Sequence, residues 1–305
     1  MSLIGVMVTI SAPVAAMMWG LLSTSLLNLA NAMQRHGIDI FDQIRTKLNI
    51  SEEEAETDLK KPTIYIVGVL LNQTPPIWAI LANATGAPPS YYTSTFGLGL
   101  VILLLYSTKI LKEEIRPLEY VGAAILILGT LILGYDGIIR PELDMSLINI
   151  TTAFIFIGVF SIAGIIGMVI GLKENDPKLI GILFGLFAGG LGCLDPVLKG
   201  IGQNYQEAGG LPVDFIGWVI FLLSFLLGFL AFILTQWGFA RKADASSLIP
   251  AFNSTFVVVP IIIQILALPG FDLHWITIGG LVVTVLGITI MTSNHEYKPE
   301  TTNTT

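Results

Sequence analysis

Asp195 and Lys199 stand one helical turn apart in GILFGLFAGGLGCLDPVLKGIGQ (181–203), a stretch long and apolar enough to cross a bilayer. A charge at the centre of such a helix costs about 2.5–3.5 kcal/mol on insertion scales, so each needs a partner or a task. The plain reading is that the two neutralise each other at i and i+4. The functional reading is that they hold the charged poles of a substrate, or that Asp195 ligates a metal ion. The same stretch carries Gly181, Gly185 and Gly189 at four-residue intervals, which leaves a groove on one helix face.

A second group is Asn72-Gln73-Thr74 followed by Pro75-Pro76, inside an otherwise apolar run. Two prolines there break the helix, and a broken helix within a bilayer is tolerated where protein or a wet cavity satisfies the freed backbone groups. Asn28, Asn31, Gln236, Asn253, Ser254 and Thr255 complete the oxygen-bearing side chains expected within spans. The candidate substrate-binding set is therefore Asp195, Lys199, Asn72, Gln73, Thr74, Asn253, Ser254, Thr255, Asn28 and Gln236, with Asp195 also the candidate metal ligand. For any one Asn, Gln or Thr the simpler role is a hydrogen bond between helices.

The elements that must position these residues follow from composition. Hydrophobic residues make up 53% of the chain and charged residues 12%, with a mean hydropathy of +0.78, which identifies an integral membrane protein. A net charge of −7 argues against nucleic acid as a partner. A lone cysteine, Cys193, allows no intramolecular disulfide, and His36, His274 and His295 are too scattered for a metal cluster. With no catalytic grouping of His, Asp, Glu, Ser or Lys in the spans, an enzyme is not expected, nor a cofactor.

Hydropathy predicts an all-α fold of nine spans: 3–32, 63–83, 91–111, 117–135, 149–172, 179–203, 214–240, 246–268 and 275–293. The first reads as a retained span rather than a cleaved signal, and 294–305 as a polar tail. Within the polar loop 33–62, Phe41, Ile44 and Leu48 recur at helical spacing and predict a short surface helix over 38–49. Thirteen of the fifteen Lys and Arg fall in loops on one side, and only Arg140 on the other. The positive-inside rule then places the N-terminus outside a cell membrane and the C-terminus in the cytoplasm. Asp136, Glu142, Asp144, Glu207, Asp214 and Asp272 fall on the opposite, acidic side, where they would concentrate cations.

Weak internal similarity organises the spans. Gly122, Leu128 and Gly129 match Gly280, Leu286 and Gly287 at an offset of 158, and Ser94-Thr95-Phe96 recurs as Ser254-Thr255-Phe256 at 160. Residues 20–37 can be laid on 185–202 with few identities. The units are then 1–136, with four spans, and 179–293, with four more, joined by a connecting span at 149–172. An odd connector inverts the second unit, the inverted 4+1+4 repeat of many secondary transporters.

With these features the chain resembles the drug/metabolite transporter (EamA-like) superfamily, and within it the NIPA family associated with magnesium transport. The likeness is best over 183–202, where Val197-Leu198-Lys199-Gly200 is similar to the family's Val-Lys-Gly stretch. It continues over 218–250, where TQWGFARKADASSLIP follows a Thr-Gln pair, an Arg-Ala-type turn and a Ser-Leu-x-x-Pro helix start. Ser247, Leu248 and Pro250 fit that last pattern with one residue fewer, and Thr93-Ser94 stands where the family has Thr-Pro.

The resemblance implies alternating access and a small cation, magnesium first, as substrate. Magnesium keeps several waters and is held by one or two carboxylates, which Asp195 with amide and hydroxyl oxygens allows without selecting it. A small polar or zwitterionic organic molecule, with Asp195 and Lys199 at its two poles, fits as well. A membrane scaffold that transports nothing is the contrasting class. Expected partners are the bilayer, the cation or metabolite and, as an option, a second copy in a homodimer.

Overall fold

A computed structural model of the chain describes residues 11–37, 60–111, 117–139, 145–174, 176–205, 210–241, 243 and 245–292. Both the surface helix expected at 38–49 and the tail from 294 lie outside these residues. The described chain is all-helical. In order it runs α1 (Ala12–Gly37), α2 (Lys60–Asn72), α3 (Pro75–Asn83), α4 (Pro89–Thr93), a 3-10 turn (Phe96–Gly99) and α5 (Leu100–Tyr106), which widens into a π turn at Ser107–Leu111. There follow α6 (Pro117–Ile139), a 3-10 turn (Met145–Leu147), α7 (Ile150–Glu174), α8 (Pro177–Asn204), α9 (Phe215–Ala240), α10 (Ala245–Ala267) and α11 (Trp275–Thr292).

Eight stretches are long and apolar enough to cross a membrane, and α11 adds a shorter apolar run, Trp275–Gly287. The protein is a polytopic helical membrane protein, and its outward apolar side chains contact the bilayer. Proline opens several of these helices, at Pro75, Pro89, Pro117 and Pro177, where its missing N–H costs nothing. Asp176 caps α8 by accepting from the Lys178 N–H at 3.0 Å, and Asp214 caps α9 by accepting from the Ile216 and Gly217 N–H groups at 3.1 and 3.0 Å.

At the centre lies α8, most of whose residues are buried, whereas α7 is almost wholly exposed or half-buried and belongs to the periphery. Along α8 pack α9, α10 and α7; α1 packs on α2 to α5, and α6 pairs with α11. Glycine sets the close approaches. The groove of Gly185 and Gly189 is filled by the α10 backbone at Leu248 and Phe252, and a Cβ at Gly189 would meet the Phe252 carbonyl and the Thr255 hydroxyl. At Gly20 on α1 a Cβ would likewise meet the Tyr92 carbonyl and the Thr95 hydroxyl. Where α6 crosses α11, Gly129 abuts Thr284 while Gly287 abuts Leu126. Phe96 and Phe256 stack with centroids 3.9 Å apart.

Two expectations are corrected. The third span is not one helix: Ser94 and Thr95 form a turn, and the 3-10 turn Phe96–Gly99 follows before α5 resumes. Helix α6 runs to Ile139 rather than 135, so Asp136 is not a loop acid on the acidic side. It is 3% exposed within the helix, where it accepts from the Thr277 hydroxyl at 2.6 Å, with the His274 ring at 3.8 Å.

Candidate functional site

The helix stops at Asn72 and restarts at Pro75, as the paired prolines require. The break is held from several directions. The Thr74 hydroxyl donates to the Leu71 carbonyl at 2.8 Å, and the Asn72 amide donates to Asn31 on α1 at 3.0 Å. The Tyr92 hydroxyl donates to the Pro75 carbonyl at 3.2 Å and hydrogen-bonds with Ser23 at 2.6 Å. The Gln73 side chain is exposed and bonds to none of the described residues.

Facing this break is a cavity of about 110 Å³. Its polar wall consists of Asn31, Asn72, Gln73, Asp195 and Thr235; its aromatic wall consists of Tyr92, Phe225, Phe229, Phe232, Phe252 and Phe256. Gly192, Gly228 and Ala231 leave the space that the rings enclose. Pro196 has no N–H to give to the Gly192 carbonyl, and Pro260 none for Phe256, so both carbonyls lose their helical donor beside the cavity.

Asp195 is 5% exposed and Lys199 is fully buried. The Lys199 ammonium bonds the Asp195 Oδ1 and sits 3.8 Å above the centroid of Phe225. Ser224 is a further neighbour of the carboxylate, and a Cβ at Gly228 would lie 3.3 Å from it. Asp195 and Phe225 line the cavity, but Lys199 lies behind them. The cavity therefore meets one carboxylate, several amides and a set of rings, and not the ammonium.

Of the candidates drawn from sequence, Asp195, Asn72 and Gln73 come together on this wall. The others do not line it. Asn28 accepts from Asn253 at 3.0 Å and donates to the Thr24 carbonyl at 2.9 Å, so the two asparagines join α1 to α10. The hydroxyls of Ser254 and Thr255 donate to carbonyls of their own helix. Gln236 accepts from the Tyr65 hydroxyl at 3.0 Å and donates to Gln34, which in turn donates to the Gly68 carbonyl at 3.0 Å.

That chain ties α9 to α1 and α2 at the end where Lys and Arg dominate the loops. At the opposite end the Asn83 amide donates to the Pro196 carbonyl at 3.0 Å, and Gln203 donates to the Ile80 carbonyl at 3.4 Å. A Cβ at Gly200 would meet Pro89 there.

The aromatic wall was missed from sequence, although a signal exists: Phe225, Phe229 and Phe232 recur at i, i+4 and i+7 with Gly228 between them, so one face of α9 is aromatic. Among the described residues no group of three or more His, Cys, Asp or Glu could hold a metal ion. Compared with protein-family models, with curated proteins and with solved structures, the chain matches none.

Proposed function

We propose that this chain is a carrier of a small organic cation, working by alternating access and built as an inverted 4+1+4 repeat of the drug/metabolite transporter kind. The observation that carries the reading is the cavity, in which a buried carboxylate stands among aromatic rings. Rings attract a cation through their electron-rich faces, by about 0.5–2 kcal/mol each. Asp195, bonded to Lys199 through Oδ1, supplies the carboxylate on the wall, and Gly192 and Phe256, whose carbonyls lack a helical donor, line it too. The Lys199 ammonium against Asp195 and Phe225 is itself a cation in a carboxylate–ring setting. A zwitterion held at two poles fits less well, because Lys199 is withheld from the cavity.

The repeat is supported by reciprocal contacts. Gly287 is Gly129 moved by 158 residues, and Thr284 is Leu126 moved by the same amount, so Gly129 on Thr284 and Gly287 on Leu126 form a self-complementary crossing. Phe96 stacks on Phe256, its own counterpart at the offset of 160. Gly20 against Tyr92 and Thr95 reproduces Gly189 against Phe252 and Thr255. That pair puts the offset of the first span at 169, one helical turn beyond the 165 of the sequence alignment. The charge asymmetry of the loops supports the N-terminus outside.

Magnesium is the second reading, favoured by the cluster of oxygens from Asp195, Asn31, Asn72 and the two freed carbonyls. The proximity of the Lys199 ammonium and the ring-lined remainder of the wall weigh against a divalent ion. Proteoliposomes loaded with a magnesium-sensitive dye and offered radiolabelled tetramethylammonium test both. The expected result is tetramethylammonium flux that is lost in the Asp195→Asn/Lys199→Met double variant. Magnesium flux alone selects the second reading, and flux of neither overturns the carrier.

A further inference from the structure

We propose that the cavity opens sideways into the bilayer and takes amphiphilic cations, head against Asp195 and tail left in lipid. This rests on the organic-cation reading above and names the kind of cation. Both ends of the cavity are tied: Tyr65, Gln236 and Gln34 close one, and Asn83 with Gln203 closes the other. Between them α9 packs chiefly along α8 and meets α2 through the Tyr65–Gln236 bond, so the α2–α3 break faces Phe225, Gly228 and Phe229 of α9 across a gap, the cavity itself. The rim of that gap is exposed: Phe229 is 54% and Phe225 39% accessible, and the Gln73 amide is exposed without a partner among the described residues.

An unpartnered amide midway along a spanning segment is costly against hydrocarbon alone. At the rim of a portal it can meet the polar neck of a ligand passing from lipid to cavity. Size points the same way. An engineered apolar cavity of about 150 Å³ holds a benzene molecule, so about 110 Å³ takes a compact ammonium head and leaves a long tail outside. Charge complementarity favours a cationic head, since among the described residues the wall carries one charged side chain, Asp195, with its partner Lys199 held behind it.

Chain length tests this. With the protein in lipid nanodiscs, alkyltrimethylammonium ions from methyl to dodecyl displace radiolabelled tetramethylammonium. A tail that never leaves lipid gains only its transfer from water, about fourfold in affinity per methylene. The expected result is therefore a dissociation constant that falls by that factor per carbon when referred to water and stays flat when referred to the membrane phase. A gain that stops after a few carbons overturns the lateral opening while leaving the carrier reading intact. Absence of tetramethylammonium binding, or binding retained in Asp195→Asn/Lys199→Met, overturns the reading beneath it. Efficient cross-linking of two copies through Phe229→Cys, in a Cys193→Ala background, assigns the gap to a dimer interface and also overturns the proposal.

Discussion

At the scale of single residues, Asp195 and Lys199 are better described as a pair than as two sites. Each is buried, and each satisfies the other, so removing one leaves an uncompensated charge that costs about 3–5 kcal/mol. Asp195→Asn alone is therefore expected to lower the unfolding temperature in detergent sharply. Asp195→Asn/Lys199→Met should restore most of the stability, because a neutral pair has no charge to strand, while tetramethylammonium binding stays lost. Recovery of binding with stability would mean that Asp195 does not hold the cation. Phe225→Ala removes a ring from both the Lys199 ammonium and the cavity wall, and is expected to weaken binding about 2–30-fold. The ion pair was legible in the sequence because charges in an apolar run are conspicuous. Which of the two faces the cavity was not, since i and i+4 share a face and only the packing of α9 decides which end is covered.

At the scale of elements, the breaks and glycines govern how helices meet. The break at Asn72–Pro75 was readable because proline removes a donor wherever it stands. The break at Ser94–Gly99 was not, because Ser, Thr and Gly interrupt a helix only when tertiary contacts draw them out, here Phe96 against Phe256 and Gly99 against Thr24 and Asn28. Asp136 misled for the opposite reason: a carboxylate beside glycines resembles a loop until Thr277 on α11 accounts for it. Glycines differ in the same way. Gly189→Val drives a side chain into the α10 backbone and is expected to cost about 1–3 kcal/mol. At Gly279 no atom lies within 4 Å of an added Cβ, so Gly279→Ala is expected to leave thermal unfolding unchanged or slightly raised. Equal losses at both positions would contradict the packing of α8 into α10. Loosening the tie at the Lys/Arg-rich end by Tyr65→Phe removes one hydrogen bond, about 0.5–1.5 kcal/mol. The expected readout is faster alkylation of Asn31→Cys by a water-soluble maleimide, in a Cys193→Ala background.

For the whole molecule, the arrangement of α6 against α11 carries an argument about symmetry. Gly129 and Leu126 on α6 meet Thr284 and Gly287 on α11, with each glycine opposite the counterpart of the other's partner. The inverted repeat proposed above would put an in-plane two-fold through this crossing and make Gly129→Val and Gly287→Val the same lesion seen from two sides. Each inserts a branched side chain against backbone three residues from the other, and each must push the same two helices apart. The two single variants are therefore expected to lose similar stability. The double variant should lose clearly less than their sum, because the second side chain enters a gap that the first has already opened; neighbouring sites that share a backbone shift couple by about 0.5–3 kcal/mol. Thermal unfolding of the two single variants and the double in one detergent supplies the cycle. Unequal single losses that simply add would mean that α6 and α11 meet without that symmetry, and the four-one-four repeat would lose its strongest support.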